Sequence, residues 1–455
     1  MKEKAKFGSK FGLIAATVGS AIGLGNVWRF PATAQANGGA AFLILYIGCV
    51  ILLGIPVMLA EFSLGRAGRS DSVGNFKNLT PNNKWWIAGS LGLIASYIIL
   101  SYYMVVAGWT IEYLWESAFG NLYHHTARGF SNTYFNDKIG ELICSDFKPL
   151  MWTYIMIVIN LVILLFGVRK GIEKVSNIMM PMLFFIMIGF CVKSLTLPNA
   201  SEGLAFFLNP DFSKLDINTV VSALGQAFFS LSLGMGILVT YSAYYPKETK
   251  LTRTAVQVSF FDFLMAFIMG LIIFPAVKSF GIGEGDELQG TTLIFVTLPE
   301  IFSNMTGTRL WSSLFFLLLS LAAITSTISI AEVSVAFVCD RFRKSRTTAC
   351  FIVMIPIIAT ATLSSMSLGN HPSLTIGSLS LFDFLDNFAT NILLPISAFF
   401  ICIYVGWILP GDFIRNELTN YDEFGSWAAP YVSALVRFVC PILIAVILFY
   451  KTFCG

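Results

Sequence analysis

The sequence predicts an all-α integral membrane protein of eleven transmembrane helices, arranged as an inverted repeat of five plus five, with the first and sixth helices unwound at mid-membrane. Three observations lead there. The chain of 455 residues is 56% hydrophobic and only 12% charged, with a mean hydropathy of +0.75, which places it with polytopic membrane proteins and not with soluble domains. Eleven apolar runs are each long enough to cross a bilayer, a crossing that takes about 20 residues. Two of those runs, five apart in order, are interrupted by glycine and polar residues.

The runs lie near residues 11–34, 40–65, 86–118, 150–168, 175–197, 216–244, 252–280, 310–338, 347–367, 379–408 and 428–451. The first carries Gly19, Gly23 and Gly25 in the stretch Gly19-Ser-Ala-Ile-Gly-Leu-Gly-Asn-Val-Trp-Arg-Phe-Pro31. Each glycine costs roughly 1 kcal/mol of helix propensity against alanine, and Asn26 and Arg29 would be expensive facing lipid. The backbone should break here and line a site, because irregular backbone at membrane depth is tolerated only against protein or a water-filled cavity. Its freed carbonyls are candidate cation ligands and its freed amides candidate anion ligands.

The fifth run opens with Gly171 and reaches Pro181 after nine intervening residues, so the proline should break the local hydrogen-bond ladder and loosen the cytoplasmic half of the helix. The sixth run holds Phe228-Phe-Ser-Leu-Ser-Leu-Gly-Met-Gly236, a second interruption. Paired interruptions in corresponding halves point to inverted repeats with a binding site at the midplane. On this reading residues 1–455 form one membrane domain, 11–197 and 216–408 are the two five-helix repeats, and 428–451 is an extra eleventh helix. Loops near 120–148 and 281–309 are long and mixed, as caps or lids are.

Lysine and arginine set the orientation. With the N-terminus inside, nineteen of them fall in cytoplasmic pieces and seven in external ones, so the N-terminus is expected in the cytoplasm and the C-terminus outside a cell (inner) membrane. The net charge of +3 reflects this bias and gives no reason to expect nucleic acid. About ten residues precede the first run, which lacks a small-residue cleavage site and reads as a retained helix. The eight cysteines are scattered singly, with no CxxC or Cys/His set, so neither a disulfide framework nor a zinc site is indicated. His124, His125 and His371 read as solvated loop residues.

Polar residues inside the runs cluster on few helices. Asp262 sits ten residues into the seventh, Asp383 and Asp386 begin the tenth, and Thr325-Ser-Thr-Ile-Ser329 lies in the middle of the eighth. A buried carboxylate needs a partner or a cation. Arg29 has no acidic neighbour within its own helical turn, which makes Asp386 its favoured partner. The hydroxyls of the eighth run could be packing glue between helices, or the neutral oxygens that a small, hard cation such as sodium prefers.

The run from Gly19 to Pro31, the stretch Asn37 to Phe42, Gly54-Ile-Pro-Val-Met-Leu-Ala-Glu61 through Gly65 and Arg66, and Gly225-Gln-Ala-Phe-Phe-Ser-Leu-Ser-Leu-Gly234 together resemble the neurotransmitter:sodium symporter family, and the resemblance covers essentially the whole chain. It implies the leucine-transporter fold and two sodium sites. One would use Ala21, Asn26, Ser230 and the substrate carboxylate, with Asp262 at a seventh-helix position that is usually asparagine. The other would use carbonyls of Gly19, Ile22 and Ala322 and the hydroxyls of Thr325 and Ser326. Some bacterial members carry a glutamate one turn beyond Asp262, where this chain has Ala266; an ionised Asp262 could supply that negative charge, and no chloride requirement is expected.

The same resemblance implies an amino-acid pocket. The substrate carboxylate would rest on the amides of Leu24 and Gly25, at a half-helix end that favours an anion, and on Tyr103. The ammonium would meet carbonyls of Ala21, Phe229 and Ser230 and the Ser232 hydroxyl. Ile99, Tyr103, Phe229, Met235, Ser326 and Ile330 would line the side-chain pocket. None of these is acidic, which argues for a zwitterionic amino acid over a bare amine, and the flexible Met235 leaves room for a large hydrophobic or aromatic side chain. Arg29 and Asp386 would close the outer gate; Tyr244, Asp340 and an N-terminal stretch with Lys4 and Phe7 would close the inner one. An ion channel lacks support because no filter-like loop repeats, an enzyme because no HExxH or Gly-x-Ser-x-Gly motif occurs, while a non-transporting amino-acid sensor and a homodimer stay open.

Overall fold

The computed structural model describes residues 6–119, 122–123, 132–282, 290–369, 374–423, 425 and 427–453. The three histidines and Lys4 lie outside the described residues. Among the described residues, nine helices are long and apolar enough to span a bilayer: Ala40–Gly68 (α3), Trp86–Phe119 (α4), Lys148–Leu165 (α5), Val168–Leu195 (α6), Leu251–Phe280 (α9), Thr308–Phe342 (α10), Arg346–Met366 (α11), Leu381–Ile408 (α12) and Ala429–Lys451 (α13). A tenth span is a broken pair, Lys10–Ala21 (α1) and Gly25–Ala36 (α2), bent by 53°. The eleventh is the other interrupted run, Ile217–Ser230 (α7) followed after six non-helical residues by Ile237–Ser242 (α8). The two broken spans are first and sixth in chain order, as two five-helix repeats require.

The halves start where local chemistry tells them to. Ser9 caps α1 by accepting from the Gly12 amide, and Asp216 caps α7 in a reciprocal capping box with Thr219, each arrangement satisfying amides that the first helical turn leaves without partners. At the bundle centre stands α10, with 89% of its most apolar stretch buried, whereas α6 and α13, at 28% and 33%, form the periphery. Hydroxyls stitch α4 to α10: Ser117 meets Ser312 at 2.8 Å, and Ser320 donates to Thr110 at 3.1 Å. Such bonds matter in lipid because apolar contact alone gives helices little reason to associate.

The fifth span departs from expectation. Pro181 lies inside the unbroken α-helix Lys174–Leu195, and the irregularity sits earlier, in a π-helical turn over Val168–Glu173 that contains Gly171. The helix therefore runs through the proline, and the irregular turn ends eight residues before it. The segment expected as a mixed external cap contains an apolar helix, Gly290–Ser303, whose Phe295 packs on Trp109 and Tyr113 of α4 at ring separations of 5.8 and 4.8 Å.

Candidate functional site

Both breaks open toward each other. After Ala21 the backbone turns extended at Ile22, and the Leu24 amide donates to the Tyr103 hydroxyl of α4 at 3.1 Å. Gly23 is required by crowding, since a β-carbon there would lie 2.7 Å from Ser326 Oγ and 3.2 Å from the Tyr103 hydroxyl. In the sixth span the chain leaves the helix through three left-handed residues, Ser232 (φ 55°), Gly234 (φ 76°) and Gly236 (φ 72°). Serine in that region is strained, and here its hydroxyl is used, donating to the Ser20 carbonyl at 2.9 Å and so tying one break to the other. The Gly234 amide, freed from the helix, donates to Glu61 Oε1 of α3 at 2.7 Å.

Asp262 of α9 faces this junction, fully buried. Its carboxylate accepts from Asn26 Nδ2 at 2.8 Å, from the Ser230 hydroxyl at 2.8 and 2.9 Å and from the Tyr46 hydroxyl of α3 at 3.0 Å. Asn26 Nδ2 also lies 3.1 Å from Ser230 Oγ. Four spans thus converge on one carboxylate that has no Lys or Arg ion pair among the described residues. A hydrogen-bonded buried carboxylate beside neutral oxygens is chemistry suited to a small hard cation. Ala21 ends α1 next to this cluster in sequence, and Gln226 Nε2 reaches the Gly25 carbonyl at 3.5 Å.

A second group of oxygens gathers where the first break meets α10. Ser326 Oγ donates to the Ile22 carbonyl at 3.3 Å, Thr325 Oγ1 to the Ala322 carbonyl at 3.0 Å, and a β-carbon at Gly19 would sit 3.3 Å from Thr325 Cβ. All five residues read from sequence for this group are therefore neighbours, and none is acidic.

Above the breaks opens a vestibule of about 700 Å³, lined among others by Arg29, Tyr103, Phe229, Asp383, Asp386 and Asn391. Arg29 lies over the Phe229 ring at 4.5 Å, and it does not reach Asp386 within ion-pair distance among the described residues. Asp386 instead accepts from Thr390 at 3.1 Å. Tyr103 and Phe229 line the vestibule, whereas Ile99, Met235, Ser326 and Ile330 are buried and do not.

The opposite end is sealed. Phe7 packs its ring against Tyr241, Tyr244 and Tyr245 at 5.9, 6.4 and 6.2 Å. The Tyr244 hydroxyl donates to Glu332 Oε1 at 2.8 Å, and Arg346 grips the same carboxylate through two nitrogens at 3.0 and 2.6 Å. Glu173 accepts from the amides of Gly8 and Ser9 at 2.7 and 3.0 Å and from the Ser9 hydroxyl at 2.8 Å. Asp340 is exposed near the end of α10.

Several residues of this frame escaped the sequence reading: Tyr46, Glu61, Glu173, Glu332 and Arg346. For Glu61 and Glu332 the signal was present, since each is a lone carboxylate inside a long apolar helix, and such groups mark function by their cost. Tyr46 and Arg346 carry no comparable mark, because a tyrosine among apolar residues and an arginine at a helix start are ordinary.

Known proteins match this arrangement over its full length. The model of the "Sodium:neurotransmitter symporter family" covers residues 4–145 and 132–454. An uncharacterized sodium-dependent transporter of Haemophilus influenzae is 34% identical over 99% of both chains, and the uncharacterized sodium-dependent transporter YhdH of Bacillus subtilis is 32% identical over 97% of this chain and 96% of its own. The crystal structure of MhsT in complex with L-phenylalanine superposes with a TM-score of 0.89 at 38% identity, covering 99% of this chain and all of that one. Two broken spans around oxygen clusters, full-length relatives and a matching family model together make the chain a member of the sodium:neurotransmitter symporter family.

Proposed function

We propose that this protein is a sodium-coupled secondary active symporter that imports hydrophobic or aromatic L-amino acids by alternating access, without a chloride requirement. The observation that carries the reading is the meeting of two broken helices at a buried carboxylate, Asp262, held by Asn26, Ser230 and Tyr46. In this reading one sodium ion takes Ala21, Asn26, Ser230 and Asp262, and a second takes Gly19, Ile22, Ala322, Thr325 and Ser326. Freed amides at Leu24 and Gly25 receive the substrate carboxylate beside Tyr103, and Ser232 with the carbonyls of Ala21, Phe229 and Ser230 receives its ammonium. Ile99, Met235, Ser326 and Ile330 enclose the side chain. That MhsT was solved with L-phenylalanine supports a large apolar substrate. The lysine and arginine bias supports a cytoplasmic N-terminus, which makes the vestibule the external side.

Uptake of labelled amino acids into proteoliposomes under an imposed sodium gradient, with and without chloride, tests this. Accumulation of aromatic amino acids that is indifferent to chloride is expected; binding without accumulation makes the protein a sensor and overturns symport. Asp262→Asn removes the fixed charge and should weaken sodium activation at least tenfold or make it depend on added chloride. Unchanged sodium activation in both media would sink the role given to Asp262.

A further inference from the structure

Arg437 is out of place for an apolar helix. It lies nine residues into α13, whose most apolar stretch has a mean hydropathy of 2.6, and it is exposed on the helix surface. No acidic side chain pairs with it among the described residues. An unpaired arginine on the lipid-facing surface of a span is costly at membrane depth, and the cost falls as its head reaches the interface or meets an anion there.

The protein builds a seat around it. The guanidinium stacks over Trp407 of α12 at 4.6 Å and over Phe438 at 5.6 Å, and the Trp407 indole N–H donates to the Arg437 carbonyl at 2.9 Å. That carbonyl belongs to a π-helical turn, Leu435–Val439, facing a second such turn, Tyr404–Ile408. Gly406 permits the close approach, since a β-carbon there would be 3.0 Å from Arg437 Cα. Trp407, Trp427 and Tyr431 are exposed at the same end of the bundle, as residues of an interfacial aromatic belt are. Stacking fixes one face of the guanidinium and leaves its N–H edge free to donate, and the anion that a bilayer presents at this level is a headgroup phosphate.

We propose that Arg437, clamped by Trp407 and Phe438, is a binding site for the phosphate of a membrane phospholipid, and that this lipid fills the outer face of the α12–α13 pair. The ligand class is a glycerophospholipid, recognised through bidentate donation from the guanidinium to phosphate oxygens. Lysine, a point charge without a planar face, replaces it poorly.

Native mass spectrometry of the detergent-purified full chain, titrated separately with phosphatidylglycerol, phosphatidylethanolamine and diacylglycerol, tests this. One tightly retained phospholipid is expected on the wild type, with at least tenfold weaker retention on Arg437→Gln and on Trp407→Leu, intermediate retention on Arg437→Lys, and no diacylglycerol retained on any. Retention of both phospholipids assigns recognition to the phosphate; retention of phosphatidylglycerol alone assigns it to a net-anionic headgroup phosphate, and both support the site. Equal phospholipid retention by wild type and Arg437→Gln overturns it, as does retention of diacylglycerol at the phospholipid level. A shift from dimer to monomer in Arg437→Gln without a change in lipid count also overturns it, giving the arginine to a contact between chains. If Arg437→Gln proves too poorly folded to assay, Trp407→Leu decides alone, because it keeps the charge and removes the indole that stacks on the guanidinium and bonds the Arg437 carbonyl.

Discussion

The two ends of the molecule are closed by different means, and only one of them is closed here. At the end that holds the start of α1, three charged or aromatic devices act together: Glu332 between Tyr244 and Arg346, Glu173 on the amides of Gly8 and Ser9, and Phe7 among three tyrosines. At the vestibule end, Arg29 rests on Phe229 and Asp386 on Thr390, with no ion pair joining them. Buried, ion-paired charge therefore maintains the sealed end, while half-buried charge without an ion pair between Arg29 and Asp386 waits at the open one. An interaction deep in protein is screened little and fails steeply when one partner goes, whereas an exposed one is worth little until it is desolvated.

Removing Arg346 should have the largest effect. Glu332 is fully buried, and the arginine is its sole ion-pair partner among the described residues. Stranding a buried charge costs about 3–5 kcal/mol, and the lower end applies because the Arg346 side chain is 25% exposed. Arg346→Ala should raise hydrogen exchange across residues 6–21 by two orders of magnitude or more, and Arg346→Ala with Glu332→Gln should recover part of the loss. Exchange no faster than wild type would show that the sealed end does not rest on this pair.

Glu173→Gln comes next. The glutamine keeps an acceptor for one amide but loses the charge, and hydrogen bonds to charged groups are worth about 1.5–3 kcal/mol, so roughly a tenfold rise in exchange at Gly8 and Ser9 is expected. Gly12→Ala should act in the same direction, because its β-carbon would lie 2.2 Å from Glu173 Oε1 and force the carboxylate aside. If Glu173→Gln leaves those amides as protected as before, the helix cap supplied by Ser9 is sufficient and the carboxylate is only a neighbour.

The contrast also explains what the sequence could tell. Breaks in the first and sixth spans were legible because glycine and serine in an apolar run conflict with helix propensity on their own, and Asp262 because a lone carboxylate in such a run demands a partner. The sealed end was less legible. Its partners sit 14 to 238 positions apart, as Glu332 with Arg346 and Phe7 with Tyr245 do, and nothing local in either residue names the other. Pro181 misled in the opposite direction, since the helix Lys174–Leu195 runs unbroken through it and the irregular turn lies earlier, at Val168–Glu173. Asp386 was read as the partner of Arg29 because Arg29 has no acidic neighbour in its own helical turn and because the family resemblance implies that gate, and the structure holds the two apart, a state that sequence cannot select because one sequence serves both.

Asp386→Asn should have the smallest effect on this arrangement and a large one on turnover. The carboxylate is half-buried at the vestibule wall and bonded to Thr390, so its removal should change protection at the sealed end by less than about 1 kcal/mol, the ceiling for weakly buried pairs. Arg29 keeps its position through Phe229, a cation–π contact worth about 0.5–1 kcal/mol where water reaches it. Closure of the vestibule would bring Arg29 and Asp386 out of water together, and there the pair gains strength because the local dielectric falls. The variant should thus bind substrate with sodium as the wild type does but accumulate it slowly, and Phe229→Leu, which frees Arg29 without removing charge, should slow accumulation less. Equal accumulation by Asp386→Asn and wild type would mean that the open end closes without this pair, and the comparison would then reduce to a charged seal at one end and packing alone at the other.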